Sequence, residues 1–256
     1  MFRENLFEGK TALVTGGGTG IGLEISRQLL RLGAKVIIAS RKTEKLEAAV
    51  LKLQSVSKNV LAYRLDIRET ENILHLADFI AQHTDKLDIL INNAGGQFPS
   101  AAELITEKGW RAVVETNLNG TWFVTQEMAK RFFLKQTQSN IVNIVLNNYR
   151  GFPGMSHSAA ARAGVMNFTK TLAVEWVKHG VAINCVAPGI IDSTGLENYP
   201  PELLKSISDK IPMRRLGTIE EVAELVLFLA HSRYISGETV YIDGAQHLWG
   251  DMWNLN

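Results

Sequence analysis

Short apolar segments rich in β-branched residues alternate along this chain with longer segments in which apolar residues recur every three or four positions. The first pattern predicts β-strands and the second predicts amphipathic helices. The predicted strands are Thr11–Thr15, Lys35–Ala39, Val60–Arg64, Ile89–Ile91, Ile141–Leu146, Ala182–Val186 and Thr239–Ile242. The predicted helices lie near Ile21–Leu32, Thr43–Gln54, Glu69–His83, Gly120–Lys135, His157–Lys178 and Ile219–Ala230. This alternation is typical of parallel strands joined by right-handed helical crossovers, so we expect an α/β fold with a doubly wound parallel β-sheet.

Three connections are longer than the others, and each follows the carboxyl end of a predicted strand. They are Gly95–Arg111, Asn147–Ser156 and Gly189–Ile211. Ligands of open α/β sheets bind at that edge. The last connection contains Tyr199-Pro200-Pro201 and a short helical pattern over Glu202–Lys210, so it is either a substrate lid or a plain surface loop.

Composition narrows the class of protein. The chain has 256 residues, 46% of them hydrophobic, and a formal net charge of +1. We expect a single domain over residues 1–256, with the substrate loop at about 189–211. Interleaved charges offer no electrostatic footprint for nucleic acid, and no apolar run approaches the ~18 residues of a membrane span. No His/Cys/Asp/Glu cluster has metal-ligand spacing, so we expect no metal site.

One cysteine and the two ends of the chain bear on its compartment. Cys185 lies in an apolar run, so it cannot form a disulfide within the chain and we expect a buried, inert thiol. Met1–Lys10 lacks an apolar signal core, and Trp249–Asn256 lacks a peroxisomal address of the Ser-Lys-Leu kind. We therefore expect a cytoplasmic protein.

A glycine-rich segment, Thr15-Gly-Gly-Gly-Thr-Gly-Ile-Gly22, joins the first predicted strand to the first predicted helix. Its Gly16, Gly20 and Gly22 have the spacing Gly-x-x-x-Gly-x-Gly. Without β-carbons the backbone can turn sharply and approach a pyrophosphate, which then lies at the positive amino end of the helix. The segment therefore predicts a Rossmann-type dinucleotide site.

The residues after the second predicted strand indicate which dinucleotide is bound. Where a carboxylate would hold the ribose hydroxyls of NAD, the chain reads Ala39-Ser40-Arg41-Lys42. Ser40 brings no carboxylate to repel a 2′-phosphate, and Arg41 offers a planar fork to bind one. We therefore expect NADP(H) rather than NAD(H); the alternative is that Arg41 and Lys42 are solvated surface charges.

Six motifs occur in an order that is specific to one family. They are Thr15–Gly22, Asp66-Ile67, Asn93-Ala94-Gly95, Asn117-Leu-Asn-Gly120, Pro188-Gly189 and Tyr241-Ile-Asp-Gly244. From about residue 6 to residue 244 the chain thus resembles the short-chain dehydrogenase/reductase superfamily.

The resemblance implies a role for each motif. Asp66 would accept the adenine amino group, Asn93 would help to line the adenosine ribose, and Pro188 would shape the nicotinamide pocket. Ser193 stands where the family places a threonine that touches the carboxamide or the phosphate. Asp66 could instead cap the next helix, and Asn93 could simply satisfy loop backbone. The predicted cofactor-binding residues are Gly16, Gly18, Thr19, Gly20, Ile21, Gly22, Ser40, Arg41, Lys42, Asp66, Ile67, Asn93, Ala94, Gly95, Arg162, Pro188, Gly189, Ile191 and Ser193.

The catalytic tetrad of the family is only partly present. Where the family has Asn, Ser, Tyr and Lys, this chain has Asn117, Val145 or a close neighbour, Ser158 and Arg162. In the family the tyrosine protonates a ketone oxygen as hydride arrives. Serine is too weak an acid to do this at neutral pH, and arginine keeps its proton. Arg162 could still bind the nicotinamide ribose and supply a positive field, or it could pack in a salt bridge.

Further segments resemble one branch of that superfamily, the peroxisomal trans-2-enoyl-CoA reductase group. They are Gly151-Phe-Pro153, His157-Ser158, Ala160–Val165, Leu172–Trp176, Ile183–Gly189 and Glu197-Asn-Tyr199. The related 2,4-dienoyl-CoA reductases also lack Tyr-x-x-x-Lys. In both groups hydride goes to a carbon–carbon double bond conjugated with a thioester. The resemblance thus implies an NADPH-dependent reductase of a fatty enoyl or dienoyl thioester, and the enolate that hydride addition creates needs hydrogen-bond donors.

The proton donor stays open. Tyr149 is the best candidate, because it follows the fifth predicted strand at the ligand edge and the dienoyl reductases place a substrate-binding tyrosine nearby. The trans-2-enoyl group has a tyrosine in the following helix where this chain has Met166. Asn117 could instead hold a water, and His157 could polarise a carbonyl or bond to backbone. The candidate catalytic residues are Asn117, Tyr149, Ser158 and Arg162.

Two other functions remain as alternatives. One is a carbonyl or 3-ketoacyl reductase that uses Tyr149 as its acid, and the other is a catalytically silent sensor or scaffold that binds NADP(H). The superfamily resemblance also implies a homotetramer or a dimer. The apolar stripe on the predicted helix Gly120–Lys135 would then be either core or subunit contact.

Overall fold

Parallel strands form the central sheet of the computed structural model, in which residues 2–198 and 207–248 are described. In chain order the strands of the sheet are β1 (Thr11–Thr15), β2 (Lys35–Ser40), β3 (Val60–Arg64), β4 (Ile89–Asn92), β5 (Ser139–Ile144), β6 (Val181–Pro188) and β9 (Thr239–Ile242). Their order across the sheet is β3-β2-β1-β4-β5-β6-β9. A separate pair consists of β7 (Ile191–Asp192) and β8 (Gly217–Thr218). The doubly wound α/β fold predicted from the sequence is confirmed.

Helices connect the strands and cover both faces of the sheet. They are α1 (Gly20–Arg31), α2 (Thr43–Gln54), α3 (Thr70–His83), α4 (Glu107–Val114), α5 (Thr121–Arg131), α6 (Ser156–Trp176) and α7 (Ile219–His231). A π-helical turn, Glu115–Gly120, joins α4 to α5. The helices make two apolar layers, one on each side of a single sheet.

The alternation of side chains along the strands explains why the sheet has two cores. Ala12 and Val14 on β1 pack with Ile25 of α1, whereas Leu13 between them packs on the opposite face with Leu76 of α3. Successive side chains of a strand point to opposite faces, so a strand that is covered on both sides must be apolar at every position. Each large aliphatic side chain buried in this way contributes about 1.5–3 kcal/mol.

The pairing of β1 with its two neighbours shows where the ligand edge of the sheet lies. Thr15, the last residue of β1, pairs with Ala39 of β2 on one side and with Asn92 of β4 on the other. The chain moves outward from β1 through β2 to β3, and then returns to start β4 on the other side of β1. At such a reversal the loops that leave neighbouring strands diverge and open a crevice.

Strand β5 begins and ends two residues earlier than the pattern predicts. Its first residues, Ser139 and Asn140, are polar but buried. The Asn140 side chain donates to the carbonyl oxygens of Leu229 (3.0 Å) and Ser232 (2.6 Å), so its burial leaves no amide group unpaired. Because this bond comes from α7, 89 residues away, the local pattern could not reveal it.

Helix α4 was not predicted, and it lies at the end of the connection Gly95–Arg111. Val113 is its one buried residue, so burial in the core contributes little to this short helix. The helix is instead started by Thr106, whose side chain accepts a hydrogen bond from the Gly109 amide (3.1 Å). The predicted helix Gly120–Lys135 is shorter than expected, because α5 ends at Arg131 and a 3-10 turn follows.

Residues 199–206, in the middle of the predicted lid, lie outside the described residues. Tyr199, Pro200, Pro201 and Glu202 are among the residues not described, and Ser208–Lys210 forms a 3-10 turn. The assignment of 189–211 as a substrate loop therefore stays a prediction. Within the described ranges, no helix is long and apolar enough to cross a membrane, and no group of three or more His, Cys, Asp or Glu side chains is placed to hold a metal ion.

Candidate functional site

The glycine-rich turn between β1 and α1 has a backbone that only glycine permits. Gly16 and Gly20 have φ values of +67° and +52°, in the left-handed region. A β-carbon on Gly22 would lie 2.4 Å from the Gly16 carbonyl oxygen, which is closer than atoms can approach. The turn brings the backbone of residues 16–22 to the amino end of α1.

That helix end is open to an anion. Thr19 is the residue before the first turn, and in the described part of the chain its side chain makes no capping hydrogen bond. The first turn contains no acidic residue. The amide hydrogens at the start of α1 are therefore available, and the helix dipole favours a negative group there. The turn fits the pyrophosphate of a dinucleotide.

Asn93 supports this turn from the neighbouring strand. Its side-chain nitrogen donates to the carbonyl oxygens of Thr15 (3.1 Å) and Gly16 (3.2 Å). The Thr15 hydroxyl in turn accepts from the backbone amides of Asn93 (3.1 Å) and Ala94 (3.0 Å). The Asn93 side chain thus satisfies backbone carbonyl oxygens, which was the alternative to a direct contact with the ribose. The predicted contact with the ribose would instead come from the loop that Asn93 holds in place.

Basic side chains lie beyond the carboxyl end of β2. Ser40 ends the strand, and Arg41 and Lys42 are exposed. Sequence reasoning missed Lys45, whose β-carbon lies 3.6 Å from the position that a β-carbon on Gly18 would take. The first turn of α2 thereby brings a third cation beside the glycine-rich turn, a contact that follows from the packing of α2 on the sheet.

Asp66 and Ile67 follow β3 at the same edge. The Asp66 carboxylate accepts from the Arg68 side chain (2.9 Å) and backbone amide (3.1 Å) and does not cap α3. The hydrogen bond from Arg68 lowers the pKa of Asp66, so the group is a carboxylate that can accept from an adenine amino group. Ile67 packs directly under Gly120, where a β-carbon would lie 2.7 Å away.

The segment after β6 returns toward the glycine-rich turn. Pro188 is the last residue of β6, and a β-carbon on Gly189 would lie 2.6 Å from the Asp243 β-carbon. Ile191 begins β7 and is buried, and Ser193 is half-buried. The hydroxyl of Thr194, which the sequence analysis did not single out, lies 3.3 Å from the position of a β-carbon on Gly20.

Three of the four candidate catalytic residues are buried together beneath residues 95–97. The Asn117 side chain accepts from the Gly96 amide (3.0 Å) and donates to the Gly96 carbonyl (2.9 Å). The Asn117 side-chain nitrogen also donates to the Ser158 hydroxyl (3.5 Å). That hydroxyl in turn donates to the Gln97 side-chain oxygen (2.6 Å). Gln97 was missed because its partner is 61 residues away in the sequence.

Arg162 is a buried cation. Its guanidinium donates to the Ile144 carbonyl (2.9 Å) and presses against Gly95, where a β-carbon would lie 2.1 Å away. Within residues 2–198 and 207–248 it forms no ion pair, so the salt-bridge alternative is wrong for this part of the chain. Burial lowers the pKa of Arg162 to about 10, and the group stays protonated at neutral pH.

Tyr149 lies apart from that cluster. It is 64% exposed in the loop after β5, and its ring contacts those of Tyr241 (5.9 Å between centroids) and His247 (5.7 Å). In the described residues no hydrogen bond or ring contact joins it to Asn117, Ser158 or Arg162. The role of Tyr149 as a proton donor stays a prediction.

His157 and Cys185 are both buried. The His157 ring accepts from the Ser158 amide through Nδ1 (2.9 Å), so it is a backbone partner, and it lies edge-on to Phe98. Burial raises the pKa of the Cys185 thiol to about 11, in agreement with the predicted inert thiol.

Comparison with known proteins agrees with this geometry. The family model described as Enoyl-(Acyl carrier protein) reductase matches residues 16–247. A probable 2,4-dienoyl-CoA reductase of Bacillus subtilis is 37% identical over 248 residues, which cover 94% of this chain and 98% of the relative. The peroxisomal 2,4-dienoyl-CoA reductase of Danio rerio is 36% identical, with 97% of this chain and 85% of the relative covered. The 3-oxoacyl-(acyl-carrier-protein) reductase FabG of Thermotoga maritima is 35% identical, with 93% and 97% covered.

Solved structures share the same architecture. A citronellol catabolism dehydrogenase of Pseudomonas aeruginosa PAO1 is 38% identical and superposes with a TM-score of 0.87, covering 96% of this chain and 98% of its own. A short chain dehydrogenase from Bacillus anthracis, also 38% identical, has a TM-score of 0.90 with 95% and 98% covered. The glycine-rich turn, the sheet order and these relatives agree: the chain belongs to the short-chain dehydrogenase/reductase family, whose members are oxidoreductases that use a nicotinamide cofactor.

Proposed function

We propose that the protein is an NADPH-dependent reductase that saturates the carbon–carbon double bond of a fatty enoyl or dienoyl thioester, carried as an acyl-CoA. The main support for this proposal is that Ser158 and Arg162 are buried at the two positions where the family has tyrosine and lysine. The Ser158 hydroxyl already donates to Gln97, and Arg162 keeps its proton. Neither group is suited to protonate a ketone oxygen at neutral pH.

Reduction of an enoyl thioester needs no such acid at the oxygen. When bound, the nicotinamide supplies a hydride, which the β-carbon of an enoyl chain or the δ-carbon of a dienoyl chain accepts. The negative charge then resides largely on the thioester oxygen, and the proton is finally placed on the α-carbon. Preorganised donors at that oxygen are each worth about 3–4 kcal/mol, so the site must supply hydrogen-bond donors and positive charge.

Gln97 is tied to the residue that replaces the tyrosine of the family. Its side-chain oxygen accepts a hydrogen bond from the Ser158 hydroxyl (2.6 Å). Asn117 holds Gly96 at two atoms and so fixes the segment that carries Gln97. Asn117 and Ser158 thereby hold residues 96 and 97 in place, while Arg162 adds a fixed positive field beside Gly95.

The basic residues near β2 support NADPH as the cofactor. Arg41 and Lys42 directly follow a strand whose last residue, Ser40, has no charge, and Lys45 lies beside Gly18 in the glycine-rich turn. A cofactor that carries a 2′-phosphate gains from each of these cations, whereas NADH does not. We expect Ser40→Asp to raise the KM for NADPH by at least ~10-fold and to lower the KM for NADH. Equal loss for both cofactors would contradict this assignment.

The substrate class is tested by following the loss of NADPH absorbance at 340 nm. The purified protein is given trans-2-enoyl-CoA and 2,4-dienoyl-CoA of several chain lengths, with saturated acyl-CoA as the control. We expect turnover of at least one unsaturated thioester. No turnover with any unsaturated chain, together with tight NADPH binding, would indicate a silent NADP(H)-binding protein instead.

A second candidate is a carbonyl or 3-ketoacyl reductase that uses Tyr149 as its acid. The likeness to the FabG reductase favours it, as does the position of Tyr149 at the ligand edge. The distinguishing substrate is a 3-ketoacyl thioester. If that compound is reduced, and Tyr149→Phe abolishes its reduction, this function replaces the first one.

Oligomeric state and compartment are also proposed from the family resemblance. Phe123 on α5, together with Val174 and Val177 at the end of α6, are exposed apolar side chains. Paired helices of a second copy would cover them, in a homotetramer or a dimer. Light scattering of the purified protein tests this, and a monomeric mass at micromolar concentration would contradict it. The cytoplasmic location stays a prediction.

A further inference from the structure

The chain turns back sharply after β9 and forms a second wall of the site. Gly244 and Ala245 are both in the left-handed region, with φ values of +63° and +70°. This conformation costs alanine roughly 1–2 kcal/mol, so surrounding contacts must hold it. The turn places His247 back against Asp243, one residue beyond the end of β9.

Asp243 is a buried carboxylate that orients His247. Its Oδ2 atom accepts from the Asn147 side chain (2.7 Å), from the His247 amide (2.7 Å) and from His247 Nδ1 (3.0 Å). The Asp243 side chain is 2% exposed, and no lysine or arginine pairs with it in the described ranges. Because Nδ1 donates to the carboxylate, Nε2 is the nitrogen left for chemistry.

Aromatic rings fix the plane of the imidazole. His247 stacks on Tyr241 with 4.4 Å between centroids and meets Tyr149 edge-on at 5.7 Å. Arg150 donates to the Gln246 carbonyl (2.9 Å) and ties the same turn to the loop after β5. The titratable groups that face His247 are thus Asp243, Tyr241, Tyr149 and Arg150. Burial raises the pKa of Tyr241, with Tyr149 and Asp243 adding to the effect, so Tyr241 stays a neutral phenol.

This Asp243–His247 pair lies at the ligand edge. Asp243 contacts Gly189, where a β-carbon would come within 2.6 Å, and Gly189 follows β6 at the predicted nicotinamide pocket. Asn147 and Asn148 follow β5, and the Asn148 side chain donates to the Ala159 carbonyl (3.1 Å) in the first turn of α6. The pair is therefore packed against the loop that leads into Ser158. The His247 side chain itself is 20% exposed, so solvent can reach it.

We propose that His247, oriented by Asp243, is the general acid that protonates the α-carbon of the substrate enolate. The inference rests on the proposed function of the site. After hydride addition to the β-carbon of an enoyl chain, or the δ-carbon of a dienoyl chain, the electron pair of the enolate forms the new bond between the α-carbon and hydrogen. The N–H bond at Nε2 of the imidazolium breaks, the thioester carbonyl reforms, and the neutral imidazole regains a proton from water. Asp243 balances the positive charge while His247 carries it.

The test measures turnover of the best unsaturated thioester by the wild type, His247→Gln and His247→Ala. A general acid contributes ~10²–10⁴-fold, so both variants should lose at least ~100-fold in kcat with unchanged NADPH affinity. Free imidazole should restore activity to His247→Ala in proportion to its concentration, because the vacated space is open to solvent. The matched control is His75→Ala on the exposed face of α3, which should behave as the wild type.

Three outcomes would overturn the inference, and they differ from one another. If the wild type reduces enoyl thioesters and the kcat of His247→Gln is within ~3-fold of the wild-type value, His247 is not the general acid. The proposed function is then retained. Loss of activity accompanied by loss of NADPH binding, with no rescue by imidazole, assigns His247 a purely structural role. A wild type that reduces no unsaturated thioester removes the proposed function and the inference together.

Discussion

Replacing Arg162 with methionine separates the chemistry of the site from the stability of the fold. Burial lowers the pKa of the guanidinium from its ordinary value to about 10. That depression corresponds to a cost on the order of 3 kcal/mol for keeping the group charged in the folded protein. Because the unfolded chain holds the proton more tightly, the cost is present in full at every pH below about 10 and is lost only in strong alkali.

Methionine is flexible, unbranched and uncharged, so it removes this cost. The substitution also removes the hydrogen bond from Arg162 to the Ile144 carbonyl, and a bond from a charged donor contributes about 1.5–3 kcal/mol. The two effects nearly cancel. We therefore expect the free energy of unfolding of Arg162→Met to stay within about 1 kcal/mol of the wild type or to rise.

Two measurements on Arg162→Met test the reasoning. Urea unfolding followed by circular dichroism gives the free energy of unfolding, and NADPH absorbance gives turnover. We expect kcat to fall by ~100-fold or more, because the positive field beside the reacting group is gone. Arg162→Lys, which keeps the charge, serves as the control. A loss of more than about 3 kcal/mol of stability, as when one member of a buried ion pair is removed, would refute this account of Arg162.

Other predictions follow from single contacts. Gly22→Ala should weaken NADPH binding by at least ~10-fold in a fluorescence titration, because its β-carbon would strike the Gly16 carbonyl; normal affinity would contradict the tight turn. Thr218 begins α7 with a capping box to Glu221, so Thr218→Ala should lower the free energy of unfolding by about 1 kcal/mol without changing turnover. Arg215 lowers the pKa of Glu221 to about 2. The stabilisation that the Glu221 carboxylate gives to the folded protein should therefore be complete above the ordinary glutamate pKa and should fade as the pH falls toward 2. Cys185 should resist a thiol reagent at pH 8 until urea unfolds the protein; rapid labelling of the folded protein would show that the thiol is accessible.

Local chemistry explains why the elements could be predicted. In β1 every residue is apolar or small enough to be buried, and α1 repeats its apolar residues at helical spacing, so each element carries its own period. The glycine-rich turn is equally local, because the backbone angles at Gly16 and Gly20 depend on the absence of a β-carbon. The prediction failed at the polar start of β5, and it missed α4, a helix of eight residues.

The sequence by itself determined the alternation of strands and helices, the turn for a pyrophosphate and the absence of the Tyr/Lys pair. Only the tertiary structure decided what surrounds the residues that replace that pair. It placed Gln97 on Ser158, left Arg162 without an ion pair in the described residues, and brought Asp243 to Asn147 from 96 residues away. The physical reason is that strand and helix periods are properties of neighbouring residues, whereas these contacts depend on how the whole sheet packs.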